Sequence, residues 1–285
     1  MIVPAHDEEA VIGRLLRRLT ATAGTPGGAR ATPPRIIVVC NGCSDGTADA
    51  ARAHAGVTVL ETAVPSKHAA LRLGDAHADD DFPRVYLDAD VELDADAVRA
   101  LAAALEAPGV LAVAPTRVIP RRGASRPVRW YYDVWESIPG VQTGLFGRGA
   151  VALSREGHAR LQDMPELLSD DLAVSSAFEE HERAVVSEAV VVVHPPRHWA
   201  DLVRRRVRVV TGTRQAYEGT ASGNLRIDSR TGSGDLLRVV RADPRLWLKV
   251  PVFLLTTLVA RRRAARAVAA GDFTTWLRDE SSRAG

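Results

Sequence analysis

Short apolar runs alternate with amphipathic segments through residues 1–115 of the chain. The runs are rich in Val, Ile and Leu, which is typical of strands buried in a parallel sheet. The segments between them repeat apolar positions at helical spacing, and the first aligns Val11, Ile12, Leu15, Leu16 and Leu19. The predicted strands cover residues 1–4, 35–39, 57–60, 85–88 and 109–114. We therefore predict an α/β, Rossmann-like fold with a mostly parallel sheet flanked by helices.

The second half of the chain has a less regular pattern. Two further strands are predicted at 150–153 and 184–193. Residues 219–234 are polar and rich in Gly and Ser, so we predict a mobile loop there. Helices are predicted over residues 169–180 and 200–217, and a helical C-terminal appendage over residues 235–285.

The strand that ends at Asp88 leads to a second carboxylate, Asp90. Ligands of open α/β sheets bind outside the carboxyl ends of the strands, and right-handed crossovers should bring residues 4–8 and 40–45 to the same edge. Two adjacent carboxylates are costly unless a cation neutralises them, and oxygen ligands suit Mg²⁺ or Mn²⁺. The pattern indicates a metal site for a phosphorylated ligand. The alternative is an Asp-rich loop in which Asp94 caps the next helix.

Composition and charge narrow the function classes. The chain has 285 residues, 46% of them hydrophobic, and a net charge of +2, so its overall charge does not favour nucleic acid as a partner. Its two cysteines, Cys40 and Cys43, provide no disulfide framework, although a strand followed by Cys-x-x-Cys and a helix allows a thioredoxin-like interpretation. The first residues lack the pattern of a signal peptide, so we expect a cytoplasmic protein.

Short motifs follow one another in a specific order along the chain. They are Val3–Glu9 (Val-Pro-Ala-His-Asp-Glu-Glu), Val38–Thr47, Lys67–Leu71, Leu87–Asp90 (Leu-Asp-Ala-Asp), Gly144–Leu153 and Ser169–Asp171. Their order and spacing resemble those of the inverting nucleotide-sugar glycosyltransferases of family 2, which have the GT-A fold. The resemblance implies a catalytic domain over residues 1–218, with a nucleotide-binding half at 1–115 and an acceptor half at 116–218.

The resemblance also implies roles for individual residues. The donor nucleotide is expected to contact Pro4, Ala5, His6, Glu8, Asn41, Asp45, Lys67, Asp88 and Ala89. The donor sugar is expected near Gly144 and Gly147. The expected Mn²⁺ or Mg²⁺ is held by Asp90 and Asp88, with His198 as a third ligand; such a histidine often only packs or bonds locally.

The acidic pair Asp170-Asp171 is the candidate catalytic group. The resemblance implies that Asp171 is the general base, with Asp170 orienting the acceptor or raising the pKa of Asp171. Alternatively, the pair only begins a helix after Ser169. Trp130 and Trp135 are candidates for stacking on an acceptor sugar, and core packing is the alternative for both.

The chain departs from the family pattern in two places. Cys40-Asn41 stands where the family usually has Asp-Asp, and Asn41 carries no charge with which to contact the nucleobase. The sequence leaves the nucleotide of the donor sugar open between UDP, GDP and others, and we favour a UDP-sugar. The family's Gln-x-x-Arg-Trp motif is missing, although Arg204–Arg208 supplies positive charge nearby. We expect a hydroxyl acceptor used in cell-surface polysaccharide, glycolipid or secondary-metabolite assembly.

An apolar stretch at residues 246–260 is flanked by arginines. A helix of this length spans about 23 Å, whereas a bilayer core needs about 30 Å. We therefore expect either an interfacial helix in peripheral contact with an anionic membrane, at the inner face, or a helix packed against the catalytic domain.

Two other functions remain open on the sequence. A haloacid-dehalogenase-type phosphatase also uses Asp-x-Asp after a strand, but it normally carries this motif on the first strand. A non-catalytic nucleotide-sugar-binding module would keep the fold without the reaction. The presence of Asp88, Asp90 and Asp171 favours the transferase over both.

Overall fold

The structure is a computed structural model that describes residues 1–21, 34–162, 171–218 and 232–269. The chain divides into two compact units. The first comprises Met1–Val118 and Leu145–Val193, and the second comprises Ile119–Gly144 and His194–Gly285. This grouping differs from the predicted boundary at residue 218, because the chain leaves the first unit after a central strand and returns to it. The predicted functional halves stay predictions.

All eight strands of the sheet belong to the first unit. They are β1 (Ile2–Ala5), β2 (Ile36–Asn41), β3 (Val57–Thr62), β4 (Arg84–Leu87), β5 (Val91–Glu92), β6 (Ala112–Val118), β7 (Ala150–Leu153) and β8 (Arg183–Val193). Their order is β3-β2-β1-β4-β7-β6-β8-β5. β1 to β4 pair in parallel, as do β6 and β8, whereas β7 is antiparallel to both its neighbours and β5 is antiparallel to β8. The predicted mostly parallel sheet is confirmed.

The helices follow most of the predicted pattern. They are α1 (Glu9–Thr20), α2 (Thr47–Arg52), α3 (Lys67–His77), α4 (Ala95–Ala104), α5 (Arg126–Glu136), α6 (Pro139–Thr143), α7 (Arg155–Gln162), α8 (Asp171–Ser176), α9 (Trp199–Glu218), α10 (Ser233–Ala242) and α11 (Val250–Ala269). The five aligned apolar residues of α1 are all buried. Ser66 and Asp94 cap α3 and α4 by accepting from the backbone N–H three residues later, which satisfies an otherwise unpaired donor.

Two predicted elements are corrected. The predicted helix at 169–180 is wrong in length: α8 ends at Ser176, because the Arg183 guanidinium takes the Ser175 carbonyl and Phe178 is buried beyond the helix. The strand predicted at 109–114 begins at Ala112 and extends to Val118. In the sheet, β7 lies between this strand and β4.

The second unit is helical in its described residues. Its C-terminal helix α11 packs against α5 and α9: Tyr131 stacks on Phe253 at 5.2 Å between ring centroids, and Trp199 Nε1 donates to Thr256 Oγ1 at 2.9 Å. Of the two alternatives for residues 246–260, the helix packed against other helices therefore describes one face of α11. Of the predicted mobile loop, residues 219–231 lie outside the described part of the chain, and Ser233 already begins α10. Among the described residues, none of the helices combines the length and apolar character needed to cross a bilayer.

Candidate active site

The carboxyl ends of β1 and β2 are joined by side-chain contacts. Asn41 is 2% exposed, and its Nδ2 donates to the Ala5 carbonyl at 2.8 Å. The Asn41 carbonyl oxygen lies 2.6 Å from His6 Nδ1. Asn41 Oδ1 is buried and has no hydrogen-bond partner in the described part of the chain. Asn41 thus connects the two strand ends through its side-chain amide and its backbone carbonyl.

A second set of contacts fixes the start of α1 against the loop after β2. The Glu8 N–H donates to Thr47 Oγ1 at 2.7 Å, and Glu8 itself is buried. Asp45 accepts from the Glu9 N–H at 3.2 Å and from the Thr47 N–H at 3.0 Å. The Asp45 carboxylate thus accepts from backbone N–H groups at the starts of α1 and α2, where negative charge is stabilised. The predicted convergence of these two loops is confirmed.

Lys67 and Asp88 form the central ion pair of the site. Lys67 Nζ lies 2.7 Å from Asp88 Oδ1, and each side chain is about one third exposed. Burial lowers the pKa of Lys67, but the charges of Asp88, Asp171 and Asp90 outweigh it, so its pKa lies above the ordinary value. The ammonium is therefore charged at any physiological pH, and three carboxylates contribute to the field around it.

Gly149 provides the close backbone approach that this ion pair needs. Its φ is +64°, a left-handed conformation that favours glycine. A Cβ at this position would lie 2.5 Å from Val91 Cγ1 and 3.3 Å from Asp88 Oδ2. The Gly149 carbonyl accepts from the Asp88 N–H at 2.7 Å. Only glycine fits beside the first aspartate of the Asp-x-Asp motif.

Two buried arginines support the glycine-containing segment. Arg148 is 2% exposed and donates to the Pro115 carbonyl at 3.0 Å, while Arg117 donates to the Phe146 carbonyl at 3.1 Å. Sequence reasoning included Gly149 and Arg148 only as members of the segment Gly144–Leu153, and it did not identify Arg117. The sequence signal available for Gly149 was its place at the end of the glycine segment, directly before β7.

Lys67, Asp88 and Gly149 line one cleft in the first unit. Its walls are formed by Pro4, Lys67, Leu71, Tyr86, Leu87, Asp88, Leu145, Gly149, Ala150, Val151, Asp171 and Val174. The carboxylates of Asp88 and Asp171 thus border the same space as the Lys67 ammonium. Asp90, half-buried, follows Asp88 after the buried Ala89. The Lys67 ammonium can bind an anionic ligand here, and the carboxylates of Asp88 and Asp90 can bind a cation. Asp171 can accept a proton.

The remaining predicted site residues fall in other places. Asp170 lies outside the described residues. Gly147 belongs to the first unit, with a φ of +66°. Gly144, Trp130, Trp135 and His198 belong to the second unit, and their roles stay predictions. His198 is exposed before α9.

The Cys-x-x-Cys motif does not have the character of a redox site. Cys40 is buried in β2, and its burial raises the pKa of the thiol to about 12. A reactive thiol of this class needs a lowered pKa and an accessible sulfur. The thioredoxin-like interpretation is therefore not supported.

Comparison with known proteins identifies the family. The family model for glycosyl transferase family 2 matches residues 1–162. No curated protein matches the chain at a significant level.

Solved structures show the same fold. A mycobacterial protein is similar with 21% identity and a TM-score of 0.51, over 78% of this chain and 75% of its own. The glucosyl-3-phosphoglycerate synthase of Mycobacterium tuberculosis, in complex with Mn²⁺, UDP and glucosyl-3-phosphoglycerate, is 19% identical with a TM-score of 0.50, over 78% of this chain and 80% of that one. Its complex with Mn²⁺, UDP-glucose and phosphoglyceric acid gives a TM-score of 0.51 at 19% identity, with the same coverage of 78% and 80%. The sheet and its helices thus have the GT-A fold. Because the family model covers more than half of the 285 residues, this chain belongs to glycosyl transferase family 2.

Proposed function

We propose that the protein is an inverting, metal-dependent glycosyltransferase that moves a sugar from a nucleoside-diphosphate sugar, with UDP favoured, to a hydroxyl acceptor. The observation that carries this proposal is the group formed by Lys67, Asp88, Asp90 and Asp171 at one edge of the sheet. A diphosphate needs positive charge, which Lys67 and a cation held by Asp88 and Asp90 supply. An acceptor hydroxyl needs a base, and Asp171 is the candidate.

The residues present fit a divalent cation. Asp88 and Asp90 offer hard oxygen ligands, and a cation already lies against Asp88 in the form of the Lys67 ammonium, at 2.7 Å. Asp90 and Asp88 would hold Mn²⁺ or Mg²⁺. His198, the third ligand expected from the sequence, belongs to the second unit and stays a prediction. When bound, the ion neutralises the negative charge that develops on the diphosphate as the glycosidic bond breaks. The Mycobacterium tuberculosis synthase with the same fold binds Mn²⁺ and UDP, which supports this class of ligands.

Lys67 and the strand ends bind the donor in this proposal. The Lys67 ammonium keeps its contact with Asp88 and uses its other N–H groups to donate to the diphosphate. The nucleoside contacts Pro4, Ala5 and His6. Asn41 Oδ1, buried and without a described partner, is available to an N–H of the base after a small movement. Glu8 and Asp45 hold these loops in place through their backbone contacts.

Asp171 is the proposed general base. It is the first residue of α8, and it shares the lining of the cleft with one other carboxylate among the described residues, that of Asp88. The acceptor oxygen bonds to the anomeric carbon, the bond from that carbon to the diphosphate oxygen breaks, and the acceptor proton moves to Asp171. A single displacement of this kind inverts the configuration. Such a base typically contributes about 10²–10⁴-fold in rate.

The acceptor is proposed to contact Trp130 and Trp135. Both are half-buried. Trp135 meets the Tyr132 ring edge-to-face at 5.8 Å, and the Arg126 guanidinium lies 5.6 Å from the Trp130 ring. Ring surface that stays accessible can stack on a sugar. Tyr131, by contrast, is 1% exposed and is a core residue.

We further propose a peripheral contact between α11 and an anionic membrane surface. Trp247 and Leu248 are 66% and 72% exposed. Leu254, Leu255 and Leu258 are exposed at helical spacing, and Arg261 and Arg262 follow them on the exposed side. Apolar side chains next to arginines suit the interface of anionic lipids. Co-sedimentation with vesicles of phosphatidylglycerol should exceed that with phosphatidylcholine, and a Leu254→Glu, Leu255→Glu variant should lose the difference; equal sedimentation with both lipids contradicts the contact.

The proposed function is tested by calorimetry with UDP, GDP and CDP, each in Mn²⁺ and in EDTA. We expect metal-dependent binding of one nucleotide, with UDP the tightest. The folded protein should then release UDP from UDP-sugars when an acceptor is added. Binding with no turnover for any acceptor points to a non-catalytic module, and no binding at all rejects the donor site.

A further inference from the structure

A second group of metal-ligating side chains lies at the ends of β1 and β2, apart from the aspartates of the Asp-x-Asp motif. His6, Asp7 and Cys43 each place a ligand atom within 4.8 Å of the other two. Within residues 1–21, 34–162, 171–218 and 232–269, this is the only such group of three or more His, Cys, Asp or Glu residues. All three side chains are partly buried, and all belong to the first unit. The mechanism proposed above uses neither Asp7 nor Cys43.

The imidazole of His6 is held as a metal ligand is normally held. Its Nδ1 lies 2.6 Å from the Asn41 carbonyl oxygen. A carbonyl oxygen can only accept, so Nδ1 carries the hydrogen, and Nε2 is the ring nitrogen that can bind a cation. Metal-binding histidines typically donate their other ring N–H to a carbonyl or carboxylate in this way. His6 Nε2 faces Asp7 Oδ2 at 3.9 Å.

The carboxylate of Asp7 is oriented by its neighbours. Asp7 Oδ1 accepts from the Ser44 N–H at 2.6 Å and from Ser44 Oγ at 3.2 Å, which leaves Oδ2 on the side of His6. The backbone of Asp7 has a φ of +48°, a left-handed conformation that non-glycine residues rarely adopt. Such strained conformations cluster at functional sites. The same conformation directs the Asp7 N–H at Cys43 Sγ, 3.4 Å away.

The ligand set has a different chemical preference from the Asp-x-Asp site. Imidazole, carboxylate and thiolate together suit Zn²⁺ and similar borderline-soft ions, whereas carboxylates alone suit Mg²⁺ and Mn²⁺. In a tetrahedral Zn²⁺ site, metal–ligand distances of about 2.0–2.3 Å place the ligand atoms roughly 3.3–3.7 Å apart. The ligand atoms of His6, Asp7 and Cys43 lie up to 4.8 Å apart, so side-chain shifts of about 1 Å bring them to the spacing of a tetrahedral site. Three protein ligands leave the fourth position open.

We propose that His6, Asp7 and Cys43 form a binding site for a thiophilic divalent cation of the Zn²⁺ class. The Cys43 sulfhydryl loses its proton to solvent when the ion binds, the new bonds are to His6 Nε2, Asp7 Oδ2 and Cys43 Sγ, and a water completes the set. The site requires no donor, acceptor or Mn²⁺ in order to bind an ion. Because His6 is also a proposed nucleoside contact, the test below includes an Asp90→Ala variant that separates ion binding at this site from donor binding.

The test uses Co²⁺ as a spectroscopic probe on the full chain, in excess Mg²⁺ to occupy oxygen-rich sites. We expect one equivalent of Co²⁺ to produce a thiolate-to-cobalt charge-transfer band in the near ultraviolet, and Zn²⁺ to remove it. The Cys43→Ser variant should lose the band. The matched Cys40→Ala variant should keep it, because Cys40 is buried in β2. An Asp90→Ala variant should also keep it, even though it loses Mn²⁺-dependent UDP binding.

Two results overturn the proposal. One is the absence of the band in the folded wild-type protein at millimolar Co²⁺. The other is a band that persists in Cys43→Ser. A His6→Ala variant adds a quantitative arm: loss of a direct ligand should weaken Zn²⁺ by more than the roughly 10–100-fold that loss of an outer partner costs. An unchanged Zn²⁺ affinity in this variant contradicts the ligand set.

Discussion

Replacing Gly149 with alanine tests whether close backbone approach shapes the donor site. The change adds one Cβ at a φ of +64°, 2.5 Å from Val91 Cγ1 and 3.3 Å from Asp88 Oδ2. Real Cβ contacts do not occur at 2.5 Å, so Val91 or the backbone must move. Because Asp88 is hydrogen-bonded to this residue through its N–H, at 2.7 Å, the movement reaches the ion pair with Lys67.

The magnitude follows from separate contributions. A left-handed conformation costs a non-glycine residue about 1–2 kcal/mol. Overpacking a filled region costs about 1–3 kcal/mol. Replacing glycine with alanine also lowers the conformational entropy of the unfolded chain, which stabilises the folded protein by about 0.4–1 kcal/mol. Gly149→Ala should therefore destabilise the protein by about 1–5 kcal/mol.

Two other glycines separate these contributions. Gly109 has a φ of +79° with open space around its Cβ position, so Gly109→Ala carries the backbone cost alone. Gly157 has no left-handed φ, but its Cβ would lie 2.4 Å from the Leu111 carbonyl oxygen, so Gly157→Ala carries the steric cost alone. Neither glycine lines the cleft.

The assay is equilibrium urea unfolding of the three variants, paired with calorimetry of UDP in Mn²⁺. We expect Gly149→Ala to be less stable than Gly109→Ala by about 1–3 kcal/mol, which is the steric contribution. We also expect only Gly149→Ala to weaken nucleotide binding. Equal stability of Gly149→Ala and Gly109→Ala refutes the steric argument, and unchanged UDP affinity in Gly149→Ala refutes its connection to Asp88.

Four further predictions address the chemistry. Asp90→Ala should abolish the Mn²⁺-dependent part of UDP binding by calorimetry, and unchanged affinity in Mn²⁺ would remove Asp90 from the metal site. Asp171→Asn should lower turnover by about 10²–10⁴-fold while donor affinity is kept, and full turnover would exclude it as the base. Arg160 holds the pKa of Glu182 down to about 2 through two hydrogen bonds of 2.6 and 2.8 Å. Because the folded pKa is depressed, this stabilisation is present above the unfolded pKa near 4.5 and is lost as the pH falls from there to about 2; an Arg160→Met variant should lose less stability over that window in acid titrations. Iodoacetamide at pH 8 should modify Cys43 but not Cys40, whose pKa of about 12 keeps it a buried thiol; mass spectrometry showing two equally fast modifications would contradict this.

Much of the fold was predictable because it depends on neighbours along the chain. The buried face of α1 follows from residues three and four apart, and the caps of α3 and α4 follow from Ser66 and Asp94 beside their own helices. The place of Asp88 at a strand end also follows from local pattern. Short-range interactions of this kind repeat in any protein with the same local sequence.

The arrangement of the site was only partly predictable. Strand ends could be assigned to one edge by the handedness of crossovers, and the contacts between residues 5–8 and 41–47 bear this out. The pairing of Lys67 with Asp88, the contact of Gly149 with Asp88 and the carbonyl partners of the buried Arg117 and Arg148 could not be derived from local sequence. The contact of Gly149 with Asp88, for example, depends on β7 pairing with β4 across more than sixty intervening residues.

The amino-acid sequence by itself determined the alternation of strands and helices, the caps, the edge of the sheet at which chemistry occurs and the family resemblance. Only the tertiary structure decided that β7 separates β4 from β6, that α8 ends at Ser176, and that one face of α11 packs on α5 and α9. It also brought together His6, Asp7 and Cys43 from two strand ends. The physical reason is the range of the forces involved: propensity and periodicity act within a few residues, whereas strand insertion and ligand clusters depend on contacts between segments that are far apart in the chain.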